Sequence, residues 1–394
     1  MRCGCRLALP SCFVASLLFA AGDGFALSGE LTLSYRVFDN APLLPGQDEE
    51  MGFAEVTLND ARDLSDKVRF VWDVQLGTDG SPYFDLEVAK LTRDAGAFSI
   101  SAGMDTVYWA KTEVARLSNI LNQEDLRRGR DIDDRLGRPM VRLSYFSDSG
   151  LFEAYYLPYA VERAFPEASS RLRTQIPITG DAVYEDLRGP WTPSFAARYS
   201  HSAGPLDLGT YIHHGVALEP AFMPADGELA PYYGIIRQIG MDLQYTTGAC
   251  AFKTELRHTW NQPDLSLSRV DVNAAAVGIE YTLFGIAGSN ADLNLIGEYA
   301  YDSRGRFAVT PFQDDIVIGG RLSWNTLSAT EIELLYLKDL DFGTRGINLE
   351  LSHRLTENLR ILLSGQKLYH VVPGDILFGL RGDDNLRFNL TYAF

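Results

Sequence analysis

The sequence predicts an all-β protein, a transmembrane antiparallel up-and-down β-barrel of about 18 strands, with 16 as the next best count. Three observations lead to this fold class. The last strand has one apolar face, the connections between strands alternate in length, and the chain is too polar for membrane-spanning helices. A barrel of this kind carries lipid-facing and water-facing residues in strict alternation.

The last nine residues form the clearest strand. Apolar residues fall on one face and Arg387, Asn389, Thr391 and Ala393 fall on the other, with an aromatic residue at the very end. This pattern resembles the C-terminal strand of bacterial outer-membrane barrels, whose terminal Phe is part of the signal read by the barrel-assembly machinery. The resemblance implies such a signal at Leu390, Tyr392 and Phe394.

Further strands show the same two-residue period along the chain. Residues 30–38, 66–77 and 347–352 alternate apolar and polar side chains. A soluble sandwich or solenoid would show similar strands, so the strands alone do not distinguish it from a barrel. The lengths of the connections make that distinction. Short turns near residues 62–66, 93–96, 147–150, 201–204, 246–248, 325–328 and 355–358 alternate with long segments at 40–51, 109–139, 158–193, 216–231, 302–312 and 371–385. This alternation is typical of short periplasmic turns and long extracellular loops.

Composition narrows the class further. The 394 residues are 46% hydrophobic with a mean hydropathy of −0.08, so a membrane protein of this polarity must be a closed barrel. The formal charge of −17 argues against nucleic acid as a partner. Cys250 is the only cysteine after residue 26, which excludes an intramolecular disulfide and a cysteine metal cluster there. No cofactor is expected.

The N-terminal pattern predicts a secretory signal peptide over residues 1–26. Arg2 and Arg6 precede a mostly apolar stretch, and Gly24-Phe-Ala26 supplies the small residues of a cleavage site. The barrel is then expected from 27 to 394 as one domain, in the outer membrane of a Gram-negative bacterium.

The long connection at residues 109–139 is the best functional candidate. It contains seven basic and six acidic side chains between Lys111 and Arg138. Val114, Leu117, Ile120 and Leu121 recur at helical spacing and favour a short amphipathic helix. One interpretation is a solvated extracellular loop. The other is a loop folded into the pore that sets charge selectivity, through the residues Arg116, Asp125, Arg127, Arg128, Arg130, Asp131, Asp133, Asp134, Arg135 and Arg138. In that arrangement Arg127, Arg128, Arg130 and Arg135 form a positive wall, with Asp131, Asp133 and Asp134 as the opposing sign.

The same stretch carries a family resemblance. Gly103-Met-Asp-Thr-Val-Tyr-Trp109, Asn119-Ile-Leu-Asn122 and Asp125-Leu-Arg127 resemble a poorly characterised Gram-negative porin-like family with a Trp-Gly … Asn-Pro-x-Asp-Leu-Arg pattern. This chain departs from the pattern with Ala110 in place of Gly and Gln123 in place of Pro. The resemblance implies an outer-membrane channel.

These observations predict a porin for passive diffusion of small hydrophilic or charged solutes. The alternatives are an exporter of an acidic polymer, a structural or adhesive barrel and, less favoured, an outer-membrane hydrolase. Catalysis is not expected, because His201 and Ser202 are adjacent and would point to opposite faces of a strand. Outer-membrane lipid, lipopolysaccharide, the assembly machinery and a small-molecule solute are the expected partners, and the oligomeric state stays open.

Overall fold

A computed structural model describes residues 28–79, 81–127 and 135–394, and residues 1–26 of the predicted signal peptide lie outside this range. Its strands are β1 Ser28–Phe38, β2 Met51–Ser65, β3 Val68–Asp79, β4 Ser81–Ala95, β5 Phe98–Asp105, β6 Arg138–Ser147, β7 Gly150–Leu157, β8 Val183–Tyr184, β9 Ser194–Ala203, β10 Leu206–Val216, β11 Ala221–Ala225, β12 Glu228–Tyr233, β13 Ile235–Thr247, β14 Cys250–Pro263, β15 Arg269–Leu283, β16 Ala291–Asp302, β17 Asp314–Trp324, β18 Glu331–Asp339, β19 Arg345–Arg354, β20 Leu359–Tyr369 and β21 Asn385–Ala393. Short 3-10 helices occur at Gly189–Trp191, Ile286–Gly288, Gly305–Phe307 and Ile376–Leu380.

Eighteen of these strands form one antiparallel sheet that closes on itself. Each strand pairs with its neighbour along the chain, with β8, β11 and β12 excluded, and β1 pairs with both β2 and β21. Beyond β21, the Phe394 N–H donates to the Gly29 carbonyl at 2.9 Å and the Gly29 N–H donates to the Phe394 carbonyl at 3.1 Å. The predicted 18-strand barrel is therefore confirmed, and closure leaves the barrel sheet without an unpaired edge.

The two faces of the barrel differ as the strand pattern predicts. On β1, Leu33 and Tyr35 point outward with 41% and 46% of their surface exposed, while Ser34 between them is 7% exposed. On β21, Tyr392 is 45% exposed outward and Thr391 is 8% exposed on the inner face. The outer face is thus an apolar band, and the inner face is polar.

Connections at one end of the barrel are shorter than the main loops at the other. The short-turn end holds residues 66–67, 96–97, 148–149, 204–205, 248–249, 284–290, 325–330 and 355–358. The long-loop end holds the segments 39–50, 106–137, 158–193, 217–234, 303–313 and 370–384, together with the shorter 264–268 and 340–344. Within the long loops, β11 pairs with β12 and β12 pairs with β8 in a separate small sheet.

Among the described residues, no helix is both long enough and apolar enough to cross a membrane.

Candidate functional site in the barrel lumen

The described part of the connection between β5 and β6, residues 106–127 and 135–137, enters the barrel and is called the internal segment below. The N–H groups of Lys111, Thr112 and Ser118 donate to the Glu255 carboxylate at 2.6, 2.7 and 2.7 Å. Glu255 lies on β14 and is fully buried on the inner face, since its neighbour Leu256 is exposed outward. The internal segment therefore lies against the inside of the barrel wall.

A second carboxylate holds the segment farther along the same wall. The N–H groups of Glu113 and Ala115 each donate to Glu298 on β16 at 2.8 Å. β16 is the eighth strand after β5 in the ring of eighteen, so the segment crosses the lumen. Hydrogen bonds to a buried carboxylate are among the strongest in proteins, because the acceptor carries a full charge.

The wall between these two carboxylates is made of small residues. β15 lies between β14 and β16, and its inner face presents Ala274, Ala276 and Gly278. Ala276 pairs with Glu255, and Gly278 pairs with Glu298. The small side chains leave room for the segment backbone to reach the flanking carboxylates. In the sequence, residues 274–277 show no alternation of polar and apolar side chains, because both faces of β15 carry apolar residues there.

Two asparagines brace the segment where it leaves the near wall. Asn119 Oδ1 accepts the N–H groups of Trp109 and Ala110 at 2.9 and 3.0 Å. Asn122 Nδ2 donates to the carbonyls of Asp105 and Leu136 at 2.8 and 3.0 Å, joining the two ends of the connection. These residues belong to the stretch that carries the family resemblance, and in this fold they support the segment.

Aromatic packing completes the near-wall attachment. The Trp109 ring lies 5.6 Å from Tyr155 and 5.5 Å from Tyr211, and the Arg198 guanidinium lies 4.7 Å above it. All three rings are buried in one cluster with Ile120. Burial of such rings stabilises the segment through apolar area and favourable ring geometry.

The expected amphipathic helix in this segment is wrong for the residues described. The structure has turns and bends around Val114, Leu117, Ile120 and Leu121, with no helical turn. The physical reason is competition for the backbone donors, since Glu255 and Glu298 accept the N–H groups that a helix would use internally. Val114, Ile120 and Leu121 are nevertheless buried.

Two of the predicted selectivity residues, Asp125 and Arg127, form a paired cluster. Asp125 is buried and accepts the Arg127 N–H and Nε at 2.9 and 3.0 Å, and Arg127 also binds Asp85 on β4. The Arg127 guanidinium lies 4.4 Å above the Tyr83 ring. Burial acts to lower the pKa of Arg127, but the hydrogen bonds and charges of Asp125 and Asp85 outweigh it and raise that pKa. Two carboxylates thus balance this arginine.

Arg116 and Arg135 lie on another part of the segment. Arg116 Nε donates to the Glu113 carbonyl at 2.9 Å. Arg135 lies 3.5 Å from the Glu124 carboxylate, which also lies 3.2 Å from Arg163. Burial lowers the pKa of Arg135, and the charges of Arg163 and Arg116 add to that effect while Glu124 opposes it.

Arg138 has a different position from the other predicted residues. It is 1% exposed at the start of β6, and it donates to the carbonyls of Tyr159 and Leu121 and to Ser194 Oγ at 3.0, 3.0 and 3.2 Å. Arg138 therefore joins the internal segment at Leu121 to Tyr159 in loop 158–193 and to Ser194 at the start of β9. The remaining predicted residues, Arg128, Arg130, Asp131, Asp133 and Asp134, lie outside the described residues. The predicted role of the whole set in selectivity stays a prediction.

The sequence interpretation missed an ion-pair network on the long loops. Glu219 binds Arg257 of β14 at 2.7 Å and Arg304 at 2.8 Å, and Arg304 also binds Asp302 at 2.6 Å. Burial would raise the pKa of Glu219, but the two arginines outweigh it and lower that pKa. The network ties loops 217–234 and 303–313 to the inner wall. Glu219 is 38 residues from Arg257 and 85 residues from Arg304 in the chain, so no local signal links it to them.

A second missed pair joins two other loops. Arg171 in loop 158–193 is fully buried, and its Nε donates to Asp383 in loop 370–384 at 2.6 Å. The guanidinium lies 4.3 Å above the Phe38 ring at the end of β1. This pair draws loop 158–193 over the opposite rim of the barrel.

His201 and Ser202, the adjacent pair on β9, have different partners in the structure. Ser202 Oγ donates to Asp207, and the adjacent His201 stacks near Tyr199 with ring centres 6.4 Å apart. His213 is buried and His214 Nδ1 lies 3.1 Å from the Ile236 carbonyl. Within residues 28–79, 81–127 and 135–394, no group of three His, Cys, Asp or Glu is placed to hold a metal ion.

Solved barrels provide the comparison with known proteins. A Salmonella typhi OmpF in complex with daunomycin has a TM-score of 0.48 and 10% identity, covering 93% of this chain and 97% of that chain. A substituted porin of Rh. blastica has a TM-score of 0.47 and 10% identity, over 94% and 99%. OmpT of Vibrio cholerae, an outer membrane protein lacking one loop, has a TM-score of 0.46 and 11% identity, over 93% and 98%. No protein-family model and no curated protein matches the sequence.

Proposed function

We propose that this protein is an outer-membrane channel through which small hydrophilic or charged solutes diffuse. The observation that carries the proposal is the closed 18-strand barrel with an apolar outer band and a polar interior. A barrel of this size has a lumen wide enough for water or one that needs an internal element. The internal segment bound to Glu255 and Glu298 is such an element, and it would set the width of the path.

The wall away from the bound segment supports an aqueous path. Ser34 Oγ donates to Asn389 at 2.6 Å, and Thr32 lies 3.1 Å from Thr391 across the β1–β21 pair. Arg387 Nε donates to Ser364 on β20 at 3.2 Å. Small polar side chains that bond to one another along a wall give a wetted surface and suit hydrophilic solutes.

Reconstitution into planar bilayers tests this proposal directly. Stepwise conductance is expected, and its size should vary among salts and organic ions of increasing radius. A silent barrel is one that shows no conductance. If such a barrel hydrolyses lipid, the result would favour the hydrolase. A silent barrel without hydrolysis would favour a structural or adhesive protein, or an exporter that needs a partner. Either silent outcome overturns the diffusion channel.

A further inference from the structure

A cavity of about 340 Å³ lies between the internal segment and the long loops that fold inward. Its lining is largely apolar and comes from five connections and from β13, β14 and β17 to β20. Apolar examples from the connections are Leu126, Phe165, Leu172, Phe222, Phe312 and Leu377. Phe165 and Phe222 meet edge to face at 5.8 Å. Solute in transit through the barrel would pass this surface, and an apolar lining favours an apolar body.

The charged part of the lining is positive. Five arginines line the cavity and two glutamates do so, a net formal charge of +3 in a chain of net charge −17. The arginines are Arg116, Arg135, Arg163, Arg173 and Arg257. Glu124 is shared by Arg135 and Arg163. Glu219 is shared by Arg257 and Arg304, and Arg304 also pairs with Asp302.

The lining also holds buried donors that have no acceptor. Within the described part of the chain, Arg135 Nε, Arg257 Nε and Asn119 Nδ2 are buried and make no hydrogen bond. The Asn119 amide cannot simply be turned over, because its Oδ1 already accepts two backbone N–H groups. The buried unpaired groups of this lining are therefore all donors. They are closed to solvent, so they would act on an anion in the cavity through their positive partial charge and not by direct contact.

We propose that this cavity binds an amphipathic anion, with a carboxylate head near Arg135 and Arg163 and an apolar body against Phe165, Leu172 and Phe222. The inference rests on the proposed channel function and names the class of solute that the channel would prefer. Guanidinium groups pair with carboxylates through two parallel hydrogen bonds, and the apolar loops exclude the water that would weaken the pairing.

The test compares three probes on the purified full-length barrel in non-ionic detergent, by calorimetric titration. 4-Phenylbutanoate is expected to bind. 4-Phenylbutanamide keeps the apolar body without the charge, and it should bind at least about tenfold more weakly because a charged hydrogen bond is lost. Acetate keeps the charge without the body, and it should bind at least about tenfold more weakly because less apolar area is buried. Equal binding of the amide and the carboxylate would overturn the proposal.

Two variants locate the site. Arg163→Gln should weaken 4-phenylbutanoate binding about tenfold while leaving amide binding unchanged. Arg188→Gln is the matched control, because Arg188 is exposed, pairs with Asp186 and does not line the cavity. Equal weakening of 4-phenylbutanoate binding by the two variants would mean that binding depends only on the net charge of the protein, and it would overturn the proposed site.

Conductance of the same preparations separates the two proposals. A conducting barrel that does not bind 4-phenylbutanoate overturns the cavity site and leaves the channel. A silent barrel that binds it with the expected preferences overturns the channel and leaves the site.

Discussion

At the scale of single residues, two carboxylates determine the path of the internal segment. Glu255 and Glu298 are buried, and each accepts at least two backbone N–H groups of that segment. A turn that directs several N–H groups at one point is a natural anion site, and here the anion is a side chain of the opposite wall. The charge of each glutamate is stabilised by donors that would otherwise be unpaired.

Replacing Glu298 with Leu should release the far end of the segment. The N–H groups of Glu113 and Ala115 would lose their acceptor, at a cost of about 1–3 kcal/mol for each unsatisfied donor. Single-channel recordings should then show larger and noisier steps. Glu298→Gln keeps an acceptor oxygen and is the control. Steps identical to wild type in a folded Glu298→Leu barrel would mean that the segment does not limit the current.

The pH dependence of loop stability should follow Glu219. Its pKa in the folded protein lies below the ordinary value of 4.5, so the unfolded chain takes up the proton first as pH falls. The stabilisation is complete above pH 4.5 and is lost as pH falls from there through the lower folded pKa.

The measurement is the thermal unfolding of Glu219→Gln against wild type. We expect a deficit of about 3 kcal/mol at neutral pH, since the variant leaves Arg257 and Arg304 without their shared carboxylate. The deficit should shrink below pH 4.5. Glu228→Gln changes an exposed residue of the same loop and should have no effect. A deficit that stays constant with pH would contradict the assignment.

At the scale of elements, the seam between β1 and β21 closes the barrel. Gly29 and Phe394 exchange two backbone hydrogen bonds, and the Phe394 ring lies directly over the glycine. A Cβ at position 29 would meet Phe394 Cζ at 2.8 Å and the Thr57 carbonyl at 2.6 Å. An aromatic ring that covers a strand glycine aligns the two strands. The assembly signal at Leu390, Tyr392 and Phe394 stays a prediction.

Gly29→Val should therefore impair closure. The added side chain cannot fit without moving the ring or the backbone of β2, so less folded barrel should accumulate in the membrane. Heat-modifiable mobility on gels measures the folded fraction. Gly52→Ala on β2 is the control, because a Cβ there makes only ordinary contacts at 3.5 and 3.6 Å. Equal folded fractions for both variants would show that the seam tolerates a side chain.

At the scale of the whole molecule, net charge and local charge act in opposite directions. The chain carries a charge of −17, which favours cations in the lumen. The lining of the proposed anion cavity carries an excess of arginine. Arg127 itself is balanced by Asp85 and Asp125.

Replacing Arg127, Arg128 and Arg130 together with Ala should shift the reversal potential toward cations. The shift should shrink at high salt, because screening shortens the reach of the charges to about 3 Å at 1 M. Measurements in a salt gradient across a bilayer give the potential. Arg188→Ala on the exposed loop is the control. An unchanged potential in the triple variant would mean that these arginines do not set the charge selectivity.

The sequence alone determined the barrel, because the two-residue period of most strands is a local pattern. It arises because one face of a strand meets lipid and the other meets water. Leu386 to Phe394 carry that information without any partner, and the strand count and the uneven connections followed from the same pattern. Residues 111–118 show where local information ends. The apolar spacing of residues 114–121 predicted a helix, yet the N–H groups of residues 111–118 bind carboxylates 137 to 185 residues away in the chain. Only closure of the barrel brings those carboxylates within reach. The same holds for Glu219, Arg257 and Arg304, and for the cavity lined by five connections. Such contacts depend on strand register and loop path, which no single stretch of sequence contains.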